Sequence, residues 1–587
     1  MRNRIFRAAL GVTLVGTLGV AGVAAWSAPK STRARLAEVA PPHFEVSFPA
    51  TTRQKPLTGR LVVILSKVST TGTDGRVTPR MLSPSFRGPA MYAIDLDQLS
   101  PGRTAVVDQR AIGYPTPMAQ LPAGEYDVQA RVDAYTQVRR ADGHTIWVHT
   151  NDGTVFQAIF GSAEGDLYSA VKRIRVGDGD TTRLSLDSVM PPATYPPDTK
   201  WYKHIKFQSS RLTRFWGRPM YIHARVLLPK GYDTHATTRY PTVYTLGHTW
   251  TPLSFEEPEG QQAAGRAEFA SSDSINPVTG FDRDPTKMYE AWNSDDYPRF
   301  IAVTLQQATP YFPDSYSVNS VNQGPYGDAV MQEMIPHLEK QFRMIGKPYA
   351  RHLEGASTSG WQTLALMLRN PDFFGGGWIL QPDPIDFERY QLVNIHTDTN
   401  AFVIPKAPLT TTERYFMRTV DGQPLVTVRE MSLYEEVLGS RGRSGNQLAA
   451  WEAIYGPIGR DGYPVPLWNK LTGTIDRDVA SYMRDNGYDL LADAKKNWGT
   501  LGPKLQGKLR FFTGDMDQFY LNLAVYSWEE FLKSTANPRS DATFTYGRPM
   551  KGHSWHAWTW RQFGREVGAV IKANAPPGEN TAAWHYR

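Results

Sequence analysis

The sequence predicts two fold classes in one chain: an all-β sandwich, then an α/β region whose strands are separated by a long insert. Up to about Pro192, short alternating stretches are separated by Gly, Pro, Asp and Thr, the pattern of a sandwich. From about Trp201, strand-like runs alternate with helical ones, which predicts a largely parallel sheet. Between Gln381 and about Pro503 that rhythm breaks. With 587 residues the chain exceeds what one hydrophobic core fills, so two domains or more are expected. The boundaries read as 1–25 export signal, 26–42 linker, 43–195 β-sandwich, 196–575 α/β region with 381–503 as a lid-like insert, and 576–587 tail.

Arg2, Arg4 and Arg7 precede an apolar run from Ala8 to Val23, and Ala24 and Ala25 offer a cleavage site, the layout of an export signal. An uncleaved anchor is the alternative, although the run is short for a membrane span. Cysteine is absent, which excludes disulfides, thiol nucleophiles, thiolate metal sites and lipid-modified cysteine. An exported protein without disulfides points to a bacterium, periplasmic or secreted. The formal charge of +7 includes the three signal arginines, and no Lys/Arg run marks a nucleic-acid surface.

Within the sandwich, "GEYDVQARVDAY" places Tyr126, Val128, Ala130 and Val132 on one face, with Asp127, Gln129, Arg131 and Asp133 on the other. That alternation predicts a half-buried antiparallel strand. "RLVVIL", "HTIWVHT" and "TRLSLDSV" read as further strands, and "GDGD" (Gly177 to Asp180) as a turn, since it lacks the further acidic residues of a calcium loop. In the α/β region, "HARVLLPKGY", "YPTVYTLGH", "RFIAVTL", "GGGWILQP", "KLRFFTG" and "ATFTYGRPM" read as strands. "GDAVMQEMIPHLEKQF" is an amphipathic helix that Pro336 should kink. The insert carries the helical segments "REMSLYEEVLG", "NQLAAWEAIYG" and "RDVASYMRDNGYDLLADAKKNW". Its length predicts a lid or a wall of the substrate site, with a decorative or dimerising insert as the alternative.

"EGASTSGW" (Glu354 to Trp361) nearly spells G-x-S-x-G, the strained strand-to-helix turn on which α/β-hydrolases carry a nucleophilic serine. The residues two before and two after that serine crowd each other and must be small. Ser357 satisfies this with Gly355 and Ser359, whereas Ser359 as nucleophile would need Trp361 to fit where an indole cannot. Ser357 is therefore the candidate nucleophile. An acid and a histidine should follow in that order, each at a strand end. Asp517 in "GDMD" is the candidate acid, with Asp515 as the alternative, and His553 in "KGHSWHAW" is the candidate base. His556 reads as structural or substrate-facing. The oxyanion donors would be the backbone N–H of Thr358 and one from His248 or Thr249. His553-x-x-His556 lacks the spacing of a helical zinc pair, so no metal and no cofactor are expected.

"GASTSGW", "GDMD" and "GHSWHAW" together resemble the putative-esterase branch of α/β-hydrolases: esterase D-like enzymes, feruloyl and acetyl-xylan esterases, enterochelin esterases and mycolyltransferases. The resemblance spans about Tyr221 to Phe563. It aligns Ser357, Asp517 and His553 with the triad and Trp555 and Trp558 with an aromatic signature; Ser359 stands where the family has glycine. It implies an exported serine hydrolase acting on a small-molecule or polysaccharide ester, with Trp361, Trp555 and His556 as candidate substrate contacts. Acyl transfer by the same triad is its chemical neighbour. A non-catalytic protein binding polysaccharide or an envelope component through a shell with many of its 16 tryptophans is the reading from another class; its positive support is Ser359 in place of glycine. The oligomeric state is not readable.

Overall fold

Strand Leu57–Lys67 contains "RLVVIL" as an unbroken apolar run because both of its faces are covered. Leu61, Val63 and Leu65 enter one core with Phe44, Val128 and Leu184, while Val62 and Ile64 enter another that continues through the α/β region. The computed structural model describes residues 41–68, 81–153, 160–177, 179, 181–194, 197–247, 255, 285–406 and 410–586. All of these belong to one compact unit, Ala40–Arg587. The expected export signal lies outside the described residues, as do most of the linker and Asp178 and Asp180 of "GDGD". Among the described residues no helix is long and apolar enough to cross a membrane.

The N-terminal β region holds a three-stranded sheet (Thr181–Ser185, His43–Ser47, Ala105–Val107) and an eight-stranded one centred on Leu57–Lys67 and Gly124–Arg139. The long strand Gly124–Arg139 corrects one expectation. Asp127, Gln129, Arg131 and Asp133 do not face water; all are buried. Loops fold over them and use their polar groups: Gln129 accepts from Leu82 N–H (2.8 Å) and donates to Ser169 O (2.8 Å). Arg131 donates to Leu82 O (3.0 Å) and Gly161 O (2.5 Å). A polar side chain is tolerated in such a place only when its hydrogen bonds are made.

The second sheet comprises β1 (Tyr202–Gln208), β2 (Tyr221–Leu227), β3 (Thr242–Leu246), β4 (Ile301–Gln306), β5 (Arg351–Ala356), β6 (Gly376–Leu380), β7 (Leu509–Gly514) and β8 (Thr543–Gly547). Their spatial order is β1, β2, β4, β3, β5, β6, β7, β8. β2 runs antiparallel to both neighbours, and the strands from β4 to β8 are mutually parallel. The alternation predicts a parallel α/β sheet; the observed layer is mixed because β2 runs against its neighbours, and it adds the edge strand β1, whose "KHIKFQ" gave no clear signal. Ligand sites in such sheets gather beyond the C-terminal strand ends. The helix holding Pro336 does not break: Val330–Met334 opens into a π-helical turn between Tyr326–Ala329 and Ile335–Gln341, which absorbs the missing N–H.

Between β6 and β7 run two short hairpins and the helices Val428–Leu438, Gln447–Tyr455, Arg477–Asp485 and Leu490–Leu505. The expected long helix divides in two at Gly487, which takes a left-handed φ of 73°. This segment docks on the N-terminal β region. Arg60 donates to Val437 O (3.0 Å) and Glu436 O (2.7 Å), Arg443 to Trp147 O (3.0 Å), and Tyr434 meets Tyr114 edge-on at 5.4 Å. The C-terminal stretch is packed rather than loose, with Trp584 buried and Tyr586 donating to Lys230 O (2.8 Å).

Candidate active site

β5 ends in the turn that the sequence singles out. Ser357 sits at φ 59°, ψ −121° as N-cap of the helix Thr358–Arg369, a conformation that costs about 1–3 kcal/mol and persists only where its surroundings impose it. They do: Ser357 N–H donates to Leu380 O (3.0 Å), and its carbonyl accepts from Asp383 N–H (3.0 Å) and Trp361 N–H (3.1 Å). A Cβ on Gly355 would lie 2.4 Å from Ser359 O and 2.5 Å from Ser359 Cβ. The crowding is therefore met by Gly355, and the one-atom hydroxyl branch of Ser359 fits opposite it.

β7 and the loop after β8 supply the acid and base. His553 Nδ1 lies 2.7 Å from Asp517 Oδ2. Asp517 is fully buried, whereas the His553 side chain keeps 18% of its surface exposed. Asp517 Oδ1 accepts from Phe519 N–H (2.8 Å) and Leu521 N–H (3.4 Å), and Arg418, from a hairpin of the 381–508 segment, donates to Asp517 O (3.0 Å). With Nδ1–H given to Asp517, Nε2 is the nitrogen left to accept a proton. The alternative acid Asp515 holds the turn instead, accepting from Lys551 N–H at 3.0 Å.

The hydroxyl of Ser357 gives its proton to neither of these residues. Its Oγ donates to Oδ1 of Asp383 (3.2 Å), a residue sequence reasoning missed. Asp383 follows β6 in "QPDP" and is 3% exposed. Its Oδ2 accepts from Tyr316 OH (2.5 Å), Thr358 Oγ1 (3.1 Å), Gln447 Nε2 (2.8 Å) and Trp451 Nε1 (3.3 Å). Burial pushes its carboxyl above the usual range, against the pull of Tyr316, His553 and the other donors. An acid between two prolines at the end of a parallel strand was the available signal; its partners lie too far away in sequence to be read.

The His553 imidazole is subject to opposing effects. Burial lowers its pKa, but the charges of Asp517 and Asp383 overcome this, and the net shift is upward. A general base must be neutral to act, so kcat/KM is expected to fall as pH drops through a limb above the ordinary imidazole value of about 6.5. Asp383→Asn removes one of the raising charges and should move that limb to lower pH. A pH–rate profile with both limbs at the same pH would remove Asp383 from this role.

Thr358, the other expected backbone donor site, begins the helix whose N-terminal dipole favours negative charge. His248 and Thr249 lie outside the described residues. Trp361 corrects an expectation: its ring is fully buried, 5.5 Å from Tyr316 and 5.0 Å from Tyr455, because the helix turns that side inward, so it offers no face to a substrate. His556 is also buried, with Nδ1 2.9 Å from Ser554 O. Trp555 is half-buried, its indole pressed on Gly547. Trp558 packs edge-on to Phe512 at 4.3 Å. Among the described residues no group of three or more His, Asp or Glu could hold a metal ion.

No protein-family model matches the chain, and no curated protein does. Among solved structures, a ferulic acid esterase is similar at 14% identity, with 63% of this chain and 97% of that one covered and a TM-score of 0.31. A fluorophosphonate-binding serine hydrolase F from Staphylococcus aureus matches at 14% identity over 63% and 98%, TM-score 0.30. The S-formylglutathione hydrolase of Agrobacterium tumefaciens matches at 12% identity over 64% and 97%, TM-score 0.29.

Proposed function

We propose that this chain is an exported serine hydrolase of the α/β-hydrolase fold that cleaves a carboxylic ester through an acyl-enzyme. One observation carries the reading: a serine held at positive φ at the end of β5 shares the sheet edge with an Asp517–His553 pair whose acid is fully buried. In acylation, rotation of Ser357 about its Cα–Cβ bond turns Oγ from Asp383 to His553. Oγ then bonds to the substrate carbonyl carbon while its proton passes to His553 Nε2. The carbonyl oxygen, now negative, is met by the Thr358 N–H. The bond to the leaving alcohol breaks as His553 returns the proton to that oxygen. Water then repeats the sequence, releasing the acid and restoring the Ser357 hydroxyl. Asp517 holds the tautomer and balances the imidazolium. These steps use the Ser357, His553 and Asp517 side chains, the Thr358 backbone N–H and water, and call on no cofactor. An alcohol in place of water would make the same acyl-enzyme a transferase.

In this reading the N-terminal β region is a sandwich domain, 381–503 is an insert forming one wall of the site, and residues 1–25 direct export. Labelling with a fluorophosphonate probe tests the chemistry. The protein and its Ser359→Ala variant should label, and Ser357→Ala should not. A protein that never labels would exclude an assembled triad and favour the binding-protein reading.

A further inference from the structure

The two oxygens of Asp383 are not equivalent. Oδ2 is held by Tyr316, Thr358, Gln447 and Trp451. Among the described residues, Oδ1 accepts from Ser357 Oγ alone. No lysine or arginine among the described residues pairs with this buried carboxylate. Once Ser357 is acylated its Oγ carries no hydrogen, so Oδ1 is left without this donor. A buried acceptor deprived of its partner bears the full desolvation cost of that group, and a charged one more so. In the free protein Oγ lies 3.2 Å from Oδ1, and the acyl group is bonded to that same Oγ.

Resting on the hydrolase reading, we propose that Asp383 is a specificity residue that selects acyl groups carrying a hydrogen-bond donor, an ammonium or a hydroxyl, on the carbon next to the scissile carbonyl. Such a donor replaces the lost Ser357 proton at Oδ1. An ammonium would also add a positive charge beside the carboxylate. Tyr316, Gln447 and Trp451 fix the carboxylate so that Oδ1 stays aimed at the nucleophile. Tyr316 itself accepts from Trp451 Nε1 (2.8 Å) and from Gln447 Nε2. Sites built to hydrogen-bond a substrate group reject the analogue lacking it far more strongly than apolar pockets discriminate size.

The test compares hydrolysis of the ethyl esters of alanine, lactic acid and propanoic acid, which differ at that one carbon. Each kcat/KM is divided by the ester's own hydroxide-catalysed rate constant, which removes intrinsic reactivity. The protein is expected to favour the donor-bearing esters about 10- to 100-fold over propanoate, and Asp383→Asn to bring the ratio close to one. Preference for the alanine ester alone identifies the ammonium, and for lactate the hydroxyl. A ratio of one in the unaltered protein overturns the inference, even if Asp383→Asn fails to fold. So does a ratio that Asp383→Asn leaves unchanged. If Ser357 takes the fluorophosphonate label but no ester shows the preference, this inference alone falls. If Ser357 never labels, the hydrolase reading falls and takes the inference with it.

Discussion

Asp517→Asn is expected to lower kcat by about 10⁴-fold while leaving the fold intact. Asparagine is isosteric, and its oxygen can keep the bonds from Phe519 N–H and Leu521 N–H that Oδ1 now receives. Its amide NH₂ would then face His553 Nδ1, at the position of the 2.7 Å contact. Two donors cannot face each other, so the imidazole must present Nδ1 as an acceptor and carry its proton on Nε2. In that tautomer it cannot take the proton of Ser357. The variant should unfold at nearly the same temperature as the parent and turn over ester at a trace rate. Activity within tenfold of the parent would show that Asp517 does not set the tautomer and would move the role of acid elsewhere.

Gly355→Ala is expected to abolish labelling of Ser357 and to destabilise the protein by about 1–3 kcal/mol or more. The added methyl would sit 2.4 Å from Ser359 O and 2.5 Å from Ser359 Cβ. It can be relieved only by moving the first turn of the helix, and with it the backbone that holds Ser357 at φ 59°. Ser359→Gly is the matching control. It restores the second glycine of the G-x-S-x-G pattern and should retain labelling, at a helix-propensity cost of up to about 1 kcal/mol. Thermal unfolding and probe labelling of the pair separate the two effects. Full labelling of Gly355→Ala would show that the turn is not the crowded one described.

The sequence by itself determined the strands of the α/β layer other than the edge strand β1, the turn at Gly355 to Gly360, and Ser357, Asp517 and His553 as the candidates for a triad. Each of these is written within about ten residues: an apolar run, a break, and a small or chemically distinctive residue at the strand end. Parallel strands covered on both sides read as continuous apolar stretches, so their order along the chain was legible. What the tertiary structure decided is everything that depends on which polar groups meet. Tyr316 and Trp451 are 135 positions apart and Tyr316 and Asp383 are 67 apart, yet they form the network that holds the Asp383 carboxylate beside the nucleophile. Arg418 reaches Asp517 from 99 positions away. Alternation along Gly124–Arg139 gave the apolar face correctly, but a polar residue looks the same in a sequence whether it faces water or a loop folded over it. Period-two spacing separates two faces of a strand; only the packing of the rest of the chain decides that both are buried, and with which partners.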